Sequence, residues 1–299
     1  MNKQLKISSW REALAVYTKP RIVGMIFLGF SAGLPFLLVF STLSAWLRDE
    51  GVARTTIGFF SWVGITYSIK VFWAPVVDRL PLPVLTMLMG KRRSWMLLAQ
   101  IIIIAGLLGM AFSDTATQLQ QIALFALLVA FGSATQDIVI DAYRIEAVDK
   151  LFQGAMAATY VLGYRLALLA AGAGSFYIAE AYSWQTAYCF MAMLMSVGII
   201  TTLSIREPEH VINEDTIRLE AKLEAAIGLD DKRSFFTKVS AWFIDSVISP
   251  FVEFFQRNGW LAIFILLLIG SYRISDITMG VMANPFYLDS GFSKTEIAS

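Results

Sequence analysis

Residues 124–146 read LFALLVAFGSATQDIVIDAYRIE, an apolar run that continues directly into Gln136, Asp137 and Asp141. A run of this length is typical of a helix that lies in lipid. A carboxylate near the middle of a bilayer costs about 2.5–3.5 kcal/mol on insertion scales, and such residues usually face the interior of a helix bundle. The stretch therefore predicts a helical membrane protein with polar groups inside its bundle.

The composition of the 299-residue chain extends this interpretation to the whole sequence. Hydrophobic residues make up 57% and charged residues 16%, and the mean hydropathy is +0.63. Soluble domains contain about half apolar and about a quarter charged residues. The chain is therefore predicted to be an all-α polytopic membrane protein, and its net charge of +1 gives no indication of nucleic-acid binding.

The residue types of metal sites, disulfides and common enzymes are sparse. Cys189 is the one cysteine, so no intrachain disulfide framework is expected, and His210 has no second His or Cys nearby to share a metal. No H-E-x-x-H run occurs. The sequence predicts no cofactor, no metal site and no enzymatic activity.

Windows of about twenty apolar residues predict seven membrane-spanning helices. Their predicted ranges are 22–47, 56–77, 94–112, 119–143, 154–180, 184–204 and 259–287. The first is too long for a cleavable signal and runs into WLRDE. Of the lysines and arginines between these helices, Arg48, Arg54 and Lys294 fall on one side of the membrane, and the rest fall on the side of the amino terminus. The excess of cations on that side predicts a cytoplasmic amino terminus.

A long segment, 205–258, separates the sixth and seventh predicted helices and is placed in the cytoplasm. Its part NEDTIRLEAKLEAAIGLDDKR (213–233) is charged with helical spacing, which predicts a solvated helix. Its part FFTKVSAWFIDSVISPFVEFF (235–255) has one apolar face. That face indicates a helix on the inner membrane surface or, equally, one packed on the cytoplasmic ends of the bundle.

The sequence repeats itself at an offset of 240 residues. WLRDEGVARTTIG (46–58) aligns with FYLDSGFSKTEIA (286–298). The alignment pairs Asp49 with Asp289, Gly51 with Gly291, Arg54 with Lys294, Thr55 with Thr295 and Ile57 with Ile297. The repeat joins the first predicted helix to the seventh, and two six-helix halves related as parallel repeats form the major facilitator fold.

This fold predicts three parts: a six-helix bundle over 1–204, a linker over 205–258, and the start of a second bundle over 259–299. Helices eight to twelve would then follow Ser299, so the C-terminal half is expected to be truncated. A fragment or a truncated gene product is favoured over a half-transporter that needs a partner.

Ionisable residues inside the predicted spans are candidates for a transport path. They are Lys70, Asp137, Asp141, Arg165, Arg273 and Asp276. Asp137 is predicted to couple transport to protons, because apolar surroundings disfavour a charged carboxylate. Asp141 and Arg144 share its helix face at i+4 and i+7 and, with Lys70 and Asp276, are assigned to gating or structure. The alternative is that all these charges are paired and only fix helix packing.

Side chains of other types complete the predicted site. Tyr67 and Tyr164, with Tyr160, offer aromatic faces for a sugar ring. The guanidinium groups of Arg165 and Arg273 can bind carboxylates through two parallel hydrogen bonds. In helix five, Gly163 and Gly172 indicate close helix packing. In helix one, Gly33 and Pro35 indicate a weak point that suits either a binding site or a simple kink.

A further charged set lies where helices two and three approach the cytoplasm. Asp78 and Arg79 end one helix, and Lys91, Arg92 and Arg93 open the next. These residues are predicted to form a charge relay that locks one conformation, besides setting the topology.

At these residues the sequence resembles the AmpG-type muropeptide permeases, a branch of the major facilitator superfamily. The similarity lies in SATQDIVIDAYRIE, VLGYRLALLAAG, APVVDR and KPRIVGMIFLGFSAGLPFLL, and it covers about half of a complete member. It implies a bacterial inner-membrane importer of N-acetylglucosaminyl-anhydro-N-acetylmuramyl peptides. Import would be driven by the proton gradient and would serve wall recycling, which is linked to β-lactamase induction.

The resemblance also assigns residues. Gln136 and Asp137 match the family's helix-four pair, which is given the roles of substrate contact and proton coupling, and Arg165 matches the arginine of its helix-five motif. Acetyl-coenzyme A transporters have a similar Gln-Asp run. The alternatives are therefore transport of an acyl-coenzyme A or another sugar conjugate, or a non-transporting membrane partner.

Overall fold

The computed structural model of the chain describes residues 10–208 and 249–299. Its contacts divide the chain into two compact units, Met1–Pro208 with Asp276–Ser299, and Glu209–Ser275. The predicted charged helix of the linker and most of its predicted amphipathic segment lie outside the described residues. The candidate site is in the first unit.

The described residues form helices and the turns between them, which confirms the predicted all-α class. In chain order the α-helices are α1 (Trp10–Ala15), α2 (Pro20–Val39), α3 (Ser41–Asp49), α4 (Arg54–Phe60), α5 (Ile65–Ile69), α6 (Ala74–Arg79), α7 (Leu85–Met89), α8 (Lys91–Ala111), α9 (Leu119–Glu146), α10 (Gln153–Leu169), α11 (Ser175–Ala181), α12 (Trp184–Leu194), α13 (Ser196–Ser204), α14 (Ser249–Asn258), α15 (Leu261–Asp289) and α16 (Lys294–Ala298).

Five helical stretches of the described residues are long and apolar enough to cross a membrane. They are Pro20–Asp49, Lys91–Ala111, Leu119–Glu146, Lys150–Ala181 and Trp184–Ser204. These stretches agree with five of the seven predicted helices, and α15 occupies the position of the seventh. Each is predominantly apolar along its length, as expected of helices whose surfaces meet other helices or lipid.

The predicted second helix, 56–77, is instead a chain of short helices. Between α4, α5 and α6 lie 3-10 turns at Ser61–Gly64 and Lys70–Phe72. Pro75 stands in the first turn of α6, where its missing N–H is not needed for an intrahelical bond. Lys70 therefore begins an irregular turn between two helical segments, rather than lying within a continuous helix.

Helices α2 and α10 approach each other closely because glycines lie between them. A Cβ atom at Gly163 would meet the backbone of Ile26 and Phe30, and one at Gly29 would meet the backbone of Tyr160. Backbones of spanning helices come this near only where the residues are small. The predicted close approach at Gly163 is therefore confirmed.

The first span is broken at Phe40, not at the predicted weak point of Gly33 and Pro35. Pro35 lies inside α2, whereas Phe40 separates α2 from α3 with φ −117° and ψ −103°. The hydroxyl of Tyr188 donates to the carbonyl of Leu38 at 2.8 Å. This bond satisfies a backbone group near the break, which lipid could not do.

A second irregularity faces this break from the neighbouring span. The five residues Ala170–Gly174 between α10 and α11 form a π-helical turn, and Thr42 donates to the carbonyl of Ala171 at 3.0 Å. Turns of this type occur often at functional sites.

Two buried clusters enclose α2: one contains Leu38 and Met191, and the other contains Met25 and Ile140.

Candidate functional site

An ion pair between Lys70 and Asp137 lies inside the helical bundle. Asp137 comes from α9 and Lys70 from the broken second span, with 3.8 Å between Nζ and Oδ2. The side chains are 36% and 21% exposed, so both are partly open to their surroundings. The buried Oδ1 atom has no hydrogen-bond partner within the described part of the chain. The carboxylate is thus held by one long contact and keeps a free acceptor.

Three tyrosines lie near Asp137. Tyr67, Tyr160 and Tyr164 are each close enough for the charge of this carboxylate to act on their hydroxyl groups. The rings of Tyr160 and Tyr164 are 6.0 Å apart, and the Tyr67 ring is 5.8 Å from that of Phe40. Two of the predicted binding residues, Tyr67 and Tyr164, are therefore brought to the carboxylate, together with Tyr160.

Gln136 lies beside Asp137 in sequence but faces other surroundings. Its side chain is fully buried, and Nε2 donates to the hydroxyl of Ser31 on α2 at 2.7 Å. Consecutive residues of an α-helix point about 100° apart. Gln136 is consequently packed between α9 and α2, whereas Asp137 faces Lys70, and Gln136 is separated from the Lys70 side of the site.

Asp141 and Arg144 form an ion pair with each other. Their oxygen and nitrogen atoms are 3.2 Å apart, and the Arg144 guanidinium lies 6.0 Å from the ring centre of Tyr160. Asp141 is also close enough to Asp137 for the two carboxylates to repel each other. The predicted common face of these three residues is therefore observed.

Among the remaining predicted site residues, Arg165 is described, and it forms no ion pair with Asp137. Arg165 lies on an exposed part of α10, and it forms no ion pair with another side chain in the described ranges. The side chains of Arg79, Arg273 and Asp276 lie outside the described residues, so their predicted roles stay predictions.

Arg92 connects three helices at the end of the bundle predicted to face the cytoplasm. Its guanidinium is 7% exposed and lies 2.7 Å from Asp78 and 2.6 Å from Glu146. A second bond to Glu146, at 3.0 Å from Nε, makes this contact bidentate. The predicted association of Asp78 with Arg92 is observed, and Glu146 is a member that the sequence did not reveal.

Glu207 closes the same network from the other side. Its carboxylate accepts the backbone N–H groups of Arg92 at 2.7 Å and Arg93 at 3.1 Å, which places a negative charge at the positive end of α8. The Arg93 guanidinium donates to the carbonyls of Thr202 at 2.9 Å and Leu203 at 2.8 Å. Spacing gives no signal for Glu207, because it is far from Arg92 in sequence.

Charged residues of the internal repeat meet at the opposite end of the bundle. Lys294 lies 3.0 Å from Asp49 and 3.8 Å from Glu180. Asp289 lies 2.5 Å from Arg48 and also pairs with Arg54. A cavity of about 550 Å³ adjoins these charges. The sequence marked four of them as repeat positions but did not predict that they pair.

Comparison with known proteins identifies relatives of the chain. The model of the Major Facilitator Superfamily matches residues 8–298. A protein of Rickettsia conorii named "Putative transporter AmpG 4" is 32% identical over 95% of this chain and 63% of its own length. The "Anhydromuropeptide permease" of Escherichia coli K12 is 36% identical over 95% of this chain and 52% of its own length.

An uncharacterized Haemophilus influenzae protein is 34% identical over 95% of this chain and 60% of its own length. The chain thus spans between 52% and 63% of the length of these relatives. The resemblance and the predicted fold are confirmed, and they identify a bacterial inner-membrane protein. The chain belongs to the Major Facilitator Superfamily, within which it is similar to permeases of the AmpG type.

Proposed function

We propose that this chain takes part in the import of anhydro-muropeptides through the bacterial inner membrane, driven by the proton gradient. The observation that carries the proposal is the pair of Lys70 and Asp137 beside three tyrosines. The similarity to a protein named anhydromuropeptide permease supports the cargo. Such import serves cell-wall recycling and, through it, the induction of β-lactamase.

Asp137 is the proton carrier in this proposal, and Lys70 responds to its charge. Apolar surroundings disfavour the charged form of a carboxylate and so favour its protonation. The long 3.8 Å contact with Asp137 holds Lys70 only weakly. Protonation of Asp137 removes the charge that attracts Lys70. The ammonium group is then free to bind a carboxylate of the peptide part of the cargo.

The tyrosines provide the other half of the proposed site. Tyr67 and Tyr164 present ring faces that suit the apolar face of a sugar, with hydroxyl groups for its polar edge. Arg165 and Arg273 are proposed to bind carboxylates of the cargo through bidentate guanidinium contacts. Gln136 is proposed to contact substrate through its amide oxygen, which has no hydrogen-bond partner among the described residues, while its Nε2 donates to Ser31.

The proton role is tested with Asp137→Asn. We expect concentrative uptake of a radiolabelled anhydro-muropeptide into vesicles with an imposed pH gradient to fall by about a hundredfold, which is typical for loss of an essential proton-transfer group. Exchange of labelled for unlabelled cargo without a gradient should persist, because no net proton movement is needed.

The matched control is Asp141→Asn, which removes an acid of the same helix face that is already paired with Arg144. It should retain gradient-driven uptake. Unchanged uptake by Asp137→Asn would refute the proton role. Competition by acyl-coenzyme A or another sugar conjugate, but not by anhydro-muropeptide, would keep the transporter class and replace the cargo.

The domain division follows from the same proposal. Residues 1–204 form the first bundle, 205–258 the cytoplasmic linker, and 259–299 the start of the second bundle, with the amino terminus in the cytoplasm.

A further inference from the structure

The turn that carries Lys70 is fixed to α9 by a second contact. The indole N–H of Trp73 donates to the hydroxyl of Thr135 at 3.1 Å, and the Trp73 ring packs on that of Phe131 with 5.0 Å between the ring centres. Thr135 is buried and lies two residues before Asp137 on the same helix. One short irregular segment therefore makes two side-chain contacts with α9, one through Lys70 and the other through Trp73.

The two contacts differ in how they depend on charge. Thr135 donates its own hydroxyl proton to the carbonyl of Phe131 at 2.8 Å, so its oxygen is left to accept from the indole, which can only donate. Neither group of this bond carries a charge, so a change of protonation at Asp137 does not break it. The Lys70 contact is long, at 3.8 Å, and depends on the charge of Asp137.

The backbone transmits the position of Trp73 to Lys70. The N–H of Trp73 donates to the carbonyl of Lys70 at 3.2 Å and closes the 3-10 turn Lys70–Phe72. The carbonyl of Trp73 accepts the N–H groups of Val76 at 3.0 Å and Val77 at 3.1 Å, which begins α6. Side chains at i and i+3 of a 3-10 turn lie on the same side, so an indole fixed on α9 also directs Lys70 towards α9.

We propose that Trp73 is the positioning residue of Lys70: its indole keeps the broken second span on α9 while the contact between Lys70 and Asp137 forms and separates. Lysine has a long, flexible side chain, and one long ionic contact between partly exposed groups does little to fix it. The bond from Trp73 to Thr135 supplies the fixed point that the ionic contact lacks. The release of Lys70 rests on the proposed function, whereas the position of its turn does not.

The test measures how often position 70 meets position 137 when no charge holds them together. In a Cys189→Ser background, which removes the one native cysteine, Lys70→Cys and Asp137→Cys are joined in native membranes by a bifunctional thiol reagent. The rate of joining is followed over time. The ion pair is absent from this parent protein, so the contribution of Trp73 is measured without it.

Two variants each remove the bond between Trp73 and Thr135. Thr135→Val keeps the shape of the side chain and removes the hydroxyl, and Trp73→Phe keeps an aromatic ring and removes the indole N–H. Each should slow the joining about threefold, the population change that matches the average strength of a side-chain hydrogen bond between spanning helices. Both changes together should slow it no further than the slower of the two, because they remove the same bond. Thr135→Ser retains the hydroxyl and should join at the parent rate.

Two controls separate a local effect from a general loosening of the bundle. Trp62→Phe makes the same exchange in the same broken span, at a residue that is 68% exposed, and it should leave the rate unchanged. A reference pair, Val63→Cys with Ala123→Cys, joins this span to α9 at a cavity that both residues line. Thr135→Val should not slow the joining of the reference pair.

A parent rate in Thr135→Val would overturn the proposal, and this variant decides the question if Trp73→Phe impairs expression. The proposal also fails if Thr135→Ser joins as slowly as Thr135→Val, or if Thr135→Val slows the reference pair to the same extent. Uptake is not measured, so failure of the proposed cargo or proton role leaves this test intact.

Discussion

Arg92 shows what a single residue contributes to this bundle. Its guanidinium is nearly buried and binds Asp78 and Glu146, while its backbone N–H donates to Glu207. A planar, bidentate group suits this arrangement in a way that an ammonium group does not. One side chain therefore fixes the end of α6, the start of α8 and the end of α9.

Arg92→Met should destabilise the protein measurably, because two carboxylates lose their common partner. Removal of one member of a buried pair costs about 3–5 kcal/mol. The carboxylates here are partly exposed, with Asp78 at 44% and Glu146 at 29%. We therefore expect a loss of unfolding free energy of about half that range, because solvent screens the pair. The midpoint of thermal unfolding in detergent should fall clearly.

Arg165→Met is the matched control for this prediction. It removes an exposed arginine that has no ion pair with the described side chains, so the midpoint should stay close to that of the parent. Equal midpoints for the two variants would contradict the structural role of Arg92.

At the scale of helices, the contact between α2 and α10 decides how the first bundle packs. No hydrophobic force drives one spanning helix against another in lipid, so close packing has to supply the attraction. Gly163 allows the approach on one side and Gly29 on the other. The same contact brings Tyr160 and Tyr164 of α10 near Asp137.

Gly163→Ala should lower the free energy of unfolding by about 1–3 kcal/mol, the usual cost of overpacking a tight interface. The added methyl group meets backbone atoms of α2, which cannot rotate away. Gly154→Ala in the same helix is the control, since nothing lies within 4 Å of its Cβ position. Thermal unfolding of both variants checks the difference, and a loss of the same size at Gly154 would contradict it.

At the scale of the whole molecule, the distribution of cations sets the orientation in the membrane. The network around Arg92 and the ion pairs of Asp49 with Lys294 and of Asp289 with Arg54 lie at opposite ends of the first unit's helices. Lysines and arginines concentrate at the first of these ends, and such residues stay in the cytoplasm. The orientation remains a prediction that a direct experiment can decide.

A cysteine at Asp114, between α8 and α9, should react with an impermeant maleimide on intact cells in a Cys189→Ser background. A cysteine at Lys150, between α9 and α10, should react only after the membrane is permeabilised. The opposite pattern would reverse the orientation.

Much of the fold could be predicted because lipid imposes strict rules on a sequence. The order and approximate ends of five of the seven predicted long helices follow from apolar length alone. The second span was less predictable, since its composition is apolar throughout while its backbone is broken at Lys70 and before Pro75. Composition does not indicate where backbone groups give up the regular helical hydrogen bond and bind another partner.

The candidate site divides in the same way. Asp137, Asp141 and Arg144 were predictable as a common face, because helix periodicity fixes which residues of one helix point together. Lys70 as the partner of Asp137, the separation of Gln136 from that pair, and Glu146 and Glu207 around Arg92 were not. Each depends on which helices are neighbours, which no single segment encodes.

The sequence by itself determined the membrane class, the positions of the spans, the internal repeat and the residues that carry charge into the bundle. These properties depend on solvation and on helix periodicity, which are local. The tertiary structure alone decided which charges meet: Lys70 with Asp137, Arg92 with two carboxylates, and the acids of the two repeated segments with the bases of the opposite segment. The energy of an ion pair depends on the distance between its charges and on the medium around them, so it is fixed only when packing has set both.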